Sequence, residues 1–177
     1  MTPRLETTAR CVATPRVLFA IEEASIDVEL QVQQDGHFEQ TYRQPGPRLV
    51  DGAFELFEGN AILRHIGRTA SSAGLVPKDL QLRARMDQWI DFNVIRIGLP
   101  LVYGDVDEAM RHLGVLDSAL ADRDYLCGSF SLADCAYATM LVVGDGFPRA
   151  RFENLDAYLT RLAARPAWAR VLERLRR

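Results

Sequence analysis

The chain has 177 residues, 48% hydrophobic and 25% charged, with a net charge of −3. That suffices for one sizeable domain or two small ones sharing an interface, excludes a disordered chain, and excludes a nucleic-acid binder that works by bulk positive charge. Three cysteines, Cys11, Cys127 and Cys135, with no framework spacing, point to a reducing, cytoplasmic compartment rather than a disulfide-stapled secreted domain.

The opening MTPRLETTAR has no apolar signal core, and no apolar run reaches the length of a membrane span. If RLETT (4–8) is a first strand, the order is strand, helix, strand, hairpin, helix. From Pro15 to Glu23 the residues Val17, Leu18 and Ile21 fall at helical spacing, with Thr14 as expected N-cap and Pro15 at the first helical position. IDVELQV (26–32) alternates at period two and reads as a strand. In RLVDGAFELF (48–57), Asp51-Gly52 separates two such runs, which predicts a β-hairpin. EGNAILRHIG follows as a short helix stopping near Gly67. RTASSAGLVPKD (68–79) is small, polar and Pro-containing, a linker composition.

Beyond it the period changes. Leu82, Met86, Trp89, Ile90, Val94 and Ile97 form a helical stripe that should end near Gly98 and Pro100. Met110, Leu113, Leu116 and Leu120 form another. FSLADCAYATMLVV (130–143) carries a capping box, Ser131 with Asp134, flanked by Phe130 and Cys135 as a hydrophobic staple. Residues 155–164 and 166–175 give two more amphipathic helices. Six arginines against Glu173 crowd the stretch from Arg161 onward; Arg161, Arg165, Arg170 and Arg174 read as a solvated face. Trp89, Trp168, Cys127 and Cys135 read as core. His37, His65 and His112 show no ligand spacing, so no metal is expected.

Cys11 raises the chemical question. It stands three residues ahead of Thr14-Pro15, where a helix N-terminus and the neighbouring Arg10 suit a thiolate. An unpaired cysteine is equally at home as a small buried residue in a loop.

PRLVDGAFELFEGNAIL (47–63), YLCGSFSLADCAYA (125–138), FENLDAYLTRLAARPAWARVL (152–172) and MDQWIDF (86–92) together resemble the glutathione transferase superfamily, nearly end to end. The resemblance implies an α/β thioredoxin-like N-terminal domain (1–68) that binds glutathione, a linker (69–79), and a short all-α C-terminal domain (80–177). It implies that Pro47 is cis, that the backbone of Gly46 meets the cysteinyl part of glutathione, and that Glu58 and Gly59 hold its γ-glutamyl end. The serine usual after that glutamate is Gly59 here, and the run before Pro47 is YRQPG rather than Asn-Pro-x-Gly-Lys. The resemblance also places the sulfur-handling residue just after the first strand. Cys11-Val12-Ala13-Thr14-Pro15-Arg16 keeps the Cys-to-Arg spacing of members reading Cys-Pro-Phe-x-x-Arg. Thr14 stands where a dithiol enzyme carries a second cysteine, so the redox chemistry implied is monothiol; Thr7, Thr8 and Thr14 are the alternative hydroxyls.

The implied function is a glutathione-dependent enzyme, Cys-type, that conjugates a small electrophile or transfers a thiol through Cys11. Glutathione is the cosubstrate and the protein a homodimer built through helices near 60–66 and 82–97. The alternatives are a non-catalytic interaction module, since QWIDF also resembles the module in the gamma subunit of translation elongation factor, and an isomerase or carrier in a biosynthetic pathway.

Overall fold

The computed structural model describes residues 2–9, 11–33, 46–142 and 151–176. A four-stranded sheet is built from β1 (Arg4–Thr8), β2 (Glu29–Gln33), β3 (Arg48–Asp51) and β4 (Phe54–Phe57), in the order β2-β1-β3-β4. β1 pairs parallel with β2, Leu5 opposite Leu30, and antiparallel with β3, Leu5 opposite Leu49. A parallel pair needs a crossover, and the helix α1 (Thr14–Ala24) supplies it between β1 and β2. β3 and β4 form the expected hairpin, with Gly52-Ala53 as its turn and Gly52 at φ 58°. The strand read over 26–32 pairs only from Glu29.

After β4 only helices follow among the described residues: α2 (Gly59–Thr69), a 3₁₀ turn (Ser71–Ala73), α3 (Leu80–Phe92), a π-helical stretch (Asn93–Gly98), α4 (Leu99–Val102), α5 (Val106–Ala119), α6 (Leu132–Ala136), α7 (Thr139–Val142), α8 (Glu153–Ala163) and α9 (Pro166–Leu175). This is a thioredoxin-like sheet-and-helix half joined to an all-helical half. No helix among the described residues is long and apolar enough to cross a membrane.

The two halves share one core. Every residue of α1 from Thr14 to Ile21 is buried, because α1 packs against α2 within its own half and against α6 and α9 of the other. Phe19 sits at the centre, edge-on to Phe130 at 5.7 Å and to Trp168 at 5.4 Å between ring centroids. Trp168 is buried, and Trp89 packs against the same core. Cys127 and Cys135 are buried in the helical half, as expected, and burial pushes both thiols up from their ordinary range.

Four expectations about the elements are corrected. Thr14 is the first helical residue rather than the cap, which is Ala13; the Thr14 hydroxyl is hydrogen-bonded to that of Thr7 and so is taken up before it can cap. The helix from residue 59 does not stop at Gly67. It runs to Thr69, and Gly67 is there for close packing, since a Cβ at that point would lie 2.4 Å from Leu132 Cδ1 and 2.9 Å from Val76 Cγ2. Helical structure also continues past Gly98 and Pro100 to Val102. The wider π turns come first, and Pro100 falls in the first turn of α4, where a missing N–H is tolerated.

Of the C-terminal arginines read as a solvated face, Arg161 and Arg170 do stand at the surface, whereas Arg165 and Arg174 are partly buried against α1. Arg165 grips Glu23 of α1 with both arms, Nε to Oε1 at 2.5 Å and Nη2 to Oε2 at 2.8 Å, and lies 3.7 Å over the Phe130 ring. Arg170 and Arg174 hold Glu22 at 2.8 and 2.9 Å. Burial pushes the Glu22 carboxyl up, but the two arginines outweigh it and leave it below the usual range. Periodicity marks these arginines as polar but cannot show that α9 lies against the acidic end of α1.

The capping box is as read. Ser131 N and Oγ donate to Asp134 Oδ2 at 2.8 and 3.0 Å, and Leu126 N and Tyr158 OH donate to Oδ1 at 3.1 and 3.0 Å. All four lone-pair directions of the carboxylate are thereby used.

Candidate functional site

β1 ends at Thr8, and the chain turns sharply before α1. Cys11 N donates to Thr8 O at 3.1 Å, and Thr14 N donates to Cys11 O at 3.3 Å. Two tight turns in succession put Cys11 at the mouth of the β1–α1 loop, half-buried. The three threonines nearby are buried: Thr7 and Thr14 are bonded to each other, and Thr8 Oγ1 is enclosed without a hydrogen-bond partner among the described residues. Of these four residues Cys11 alone is not buried among the described residues. Arg10 lies outside the described residues, as do 42–45 of the YRQPG run and His37.

Tertiary structure brings the other predicted residues to the same place. A Cβ on Gly59 would lie 2.9 Å from Ala13 Cβ and 3.7 Å from Pro47 Cγ. The cysteine loop, the Gly46-Pro47 entry to β3 and the start of α2 therefore meet at one point. Ala13 leaves no room there for a Cβ, which accounts for glycine in place of the family serine. Among the described residues nothing lies within 4 Å of a Cβ built on Gly46. The Gly46–Pro47 bond is trans, since no peptide bond among the described residues is cis. The expected cis form is thus corrected: trans is the lower-energy isomer by about 0.5–1 kcal/mol, and Gly46 brings no side chain that would select otherwise.

Glu58 stands at the head of α2 with φ 71° and ψ 116°. For a residue with a Cβ this conformation costs about 1–3 kcal/mol and is held only where surrounding structure imposes it. Its side chain is exposed and does not cap the helix. The N–H groups of Gly59, Asn60 and Ala61 thus begin an eleven-residue helix with no side-chain acceptor, at the positive end of its dipole.

Three further residues complete the surroundings, Arg16, Asn60 and Thr139. Arg16, 6% exposed, donates from Nη1 to Asn60 Oδ1 at 3.0 Å, and Asn60 Nδ2 reaches Ile90 O at 3.4 Å. Burial pulls the Arg16 guanidinium down to about 10, against the opposing pull of Cys11 and Tyr137. Its Nε is buried with no hydrogen-bond partner, and it has no carboxylate partner among the described residues. Thr139 of α7 donates to Val12 O at 3.1 Å, so the helical half also holds the cysteine loop. Arg16 was visible as the last member of the Cys-to-Arg spacing; Asn60 and Thr139 carry no local signal.

The glutathione S-transferase C-terminal domain model matches residues 104–166. Glutathione S-transferase F11 of Arabidopsis thaliana is 30% identical, over 86% of each chain. Elongation factor 1-gamma of Prunus avium is also 30% identical, over 66% of this chain but only 33% of its own. Among solved structures, a serine-to-cysteine mutant of poplar glutathione transferase F1 superposes with a TM-score of 0.84 at 20% identity over 99% of both chains. Ure2p in complex with glutathione gives 0.85 at 19%, over 99% of this chain and 93% of that one. These likenesses fit a sheet-and-helix half joined to a helical half, and with the 30% identity to a full-length transferase they establish that this chain belongs to the glutathione transferase superfamily.

Proposed function

We propose that this protein is a glutathione-dependent enzyme in which Cys11 carries a monothiol transfer reaction. The observation that carries the reading is that Cys11, at the mouth of the β1–α1 loop, is only half-buried, while Thr7, Thr8 and Thr14 are buried. A hydroxyl that cannot reach a ligand cannot hold its sulfur, so chemistry falls to the thiol.

Glutathione lies along the line from Gly46 to Gly59. Its γ-glutamyl carboxylate takes the N–H groups at the head of α2, and the exposed Glu58 carboxylate attracts the ammonium of the same moiety. The backbone of Gly46 faces the cysteinyl part, with Pro47 as the wall beneath. In the first step the Cys11 thiolate attacks the glutathionyl sulfur of a mixed disulfide. The old S–S bond breaks, its electron pair leaves on the substrate sulfur, and that sulfur takes a proton from water. In the second, the thiolate of a free glutathione attacks Cys11–S–SG, releasing glutathione disulfide and restoring Cys11. No second cysteine is needed: Cys127 and Cys135 are buried and position 14 is threonine.

The protein acts as a homodimer through α2 and α3, in the cytoplasm, where the glutathione pool supplies the second step.

The test is glutathione-dependent reduction of 2-hydroxyethyl disulfide by the wild type and by Cys11→Ser, alongside calorimetric titration with glutathione. Loss of at least a hundredfold in rate with glutathione binding retained is the expected result. An unchanged rate in Cys11→Ser would sink the thiol mechanism. Absence of measurable binding up to about 10 mM, a free energy weaker than about 3 kcal/mol, would turn the reading to an interaction module.

A further inference from the structure

The capping-box segment does not run on as one helix. α6 ends at Ala136 and α7 begins at Thr139. Across the break the backbone tightens: Tyr137 N donates to Asp134 O at 3.2 Å and Ala138 N to Cys135 O at 3.1 Å. Met140 N then donates to Tyr137 O at 2.9 Å and Leu141 N to Ala138 O at 3.0 Å. All four bonds span three residues rather than four. That is the 3₁₀ pattern, which in mid-helix often marks a functional hinge or local strain.

The tightened stretch has a local anchor. Tyr137 is fully buried, its hydroxyl donates to Trp89 O at 3.2 Å, and its ring meets that of Tyr158 edge-on at 6.3 Å between centroids. It also has a consequence for the next exposed position. A 3₁₀ turn advances about 120° per residue against about 100° in an α-helix. In a continuous α-helix residue 139 would stack on Cys135 and Leu132, four and seven positions back, and both are fully buried. The tighter turn instead leaves Thr139 half-buried, with its hydroxyl donating to Val12 O at 3.1 Å.

Val12 is the neighbour of Cys11, and its own side chain is 59% exposed, so its packing does little to hold the loop. Polar contacts do that work instead. Thr8 O takes the Cys11 N–H, Cys11 O takes the Thr14 N–H, and Val12 O takes the Thr139 hydroxyl. Among the described residues the last is the one hydrogen bond that reaches this loop from the helical half. A carbonyl held there fixes the whole Val12–Ala13 peptide unit, because that unit is planar. Cys11 is thus pinned on both sides. A shift of about 1 Å at a reacting atom can cost about a hundredfold in rate, so such pinning bears on chemistry.

We propose that Thr139 is a positioning residue for Cys11: its hydrogen bond to the Val12 carbonyl, aimed by the tightened turn between α6 and α7, holds the cysteine loop against the helical half and sets the line along which the Cys11 sulfur meets the glutathionyl sulfur. The inference rests on the reading of Cys11 as the reacting thiol. Thr139 touches neither sulfur and acts only through the loop.

The test compares Thr139→Val, which keeps the shape and removes the donor, with Thr139→Ser, which keeps the donor, in the full chain. Three quantities are read: kcat and the glutathione KM for reduction of 2-hydroxyethyl disulfide, and the rate of Cys11 alkylation by iodoacetamide at alkaline pH. Cys127 and Cys135 are buried, so the label reports Cys11, and thermal melting checks that both variants fold. In Thr139→Val we expect kcat to fall at least fivefold with KM within twofold, and alkylation to quicken at least threefold as the loop is released. A sulfur easier to label yet slower in turnover is the mark of lost positioning rather than general damage. Thr139→Ser should return all three to within twofold of the wild type. Wild-type kcat in Thr139→Val, while Cys11→Ser is inactive, would overturn this inference alone. So would an alkylation rate unchanged in Thr139→Val, or a Thr139→Ser variant as impaired as Thr139→Val. Full activity in Cys11→Ser would overturn the thiol reading, and this inference with it.

Discussion

Arg16 of α1 and Asn60 of α2 are joined by a 3.0 Å hydrogen bond, the only one the buried guanidinium makes among the described residues. It ties the helix behind the cysteine loop to the helix that begins at Gly59. Removing the acceptor would leave a buried cation with no hydrogen-bond partner among the described residues. Asn60→Ala is therefore expected to destabilise the protein by about 1.5–3 kcal/mol, the range for a lost bond to a charged group, measured as a lower urea midpoint. Arg16→Gln in the same background should recover part of that loss, because it removes the charge left stranded.

The contact between Gly59 and Ala13 gives a second prediction. Restoring the family serine, Gly59→Ser, forces a Cβ to within 2.9 Å of Ala13 Cβ. A cost of about 1–3 kcal/mol is expected for such overpacking, with weaker glutathione binding as the head of α2 shifts. Ala13→Gly should relieve most of it in the double variant. If Gly59→Ser is as stable as the wild type, the three segments are less tightly held than this geometry implies.

The bidentate pair between Arg165 and Glu23 joins α9 to α1 across 142 residues of sequence. Glu23 is largely covered and Arg165 partly exposed, so solvent screens some of the interaction. Arg165→Met should cost about 1–3 kcal/mol. In a double-mutant cycle with Glu23→Gln the coupling should be positive and above about 0.5 kcal/mol. Additive effects would reduce the latch to a surface contact.

Asp134 sets a pH dependence opposite to that of the paired glutamates. Burial raises its carboxyl from 3.8 to about 6, against the lowering by its hydrogen bonds from Leu126, Ser131 and Tyr158. A carboxyl raised in the folded state binds more protons there than when unfolded. Its contribution is thus fully present below about pH 4 and lost as pH rises through about 6. Glu6 and Glu22 run the other way: burial raises each, Arg48 and Arg174 respectively outweigh it, and their stabilisation is lost as pH falls below 4.5. Urea midpoints should hold or rise from neutrality to about pH 5 and drop steeply below 4.5. A monotonic fall from neutrality downward would contradict the assignment for Asp134.

The local elements were legible because each has a local cause. Alternation marked β2 and the hairpin, the 3.6-residue stripe marked α3 and α5, and Ser131 with Asp134 marked the start of α6. The capping box could be read because both partners lie within one turn. Motif order along the chain was enough to suggest the family, and with it the grouping of Cys11, Gly46, Pro47, Glu58 and Gly59. What the residues alone could not supply was the contact that makes those positions one site, because Ala13 and Gly59 are distant in sequence and adjacent only when β1 and β3 pair. For the same reason Thr14 looked like a cap until Thr7 was found beside it, and Gly67 looked like a helix stop until α6 was found against it. The C-terminal arginines were visible as charges, but their partners lie in α1. Sequence determined the elements, since periodicity and capping act over a few residues. Tertiary structure decided which side chains are shut in, which reach solvent and which charges meet, because burial and pairing depend on elements that approach one another only in the folded chain.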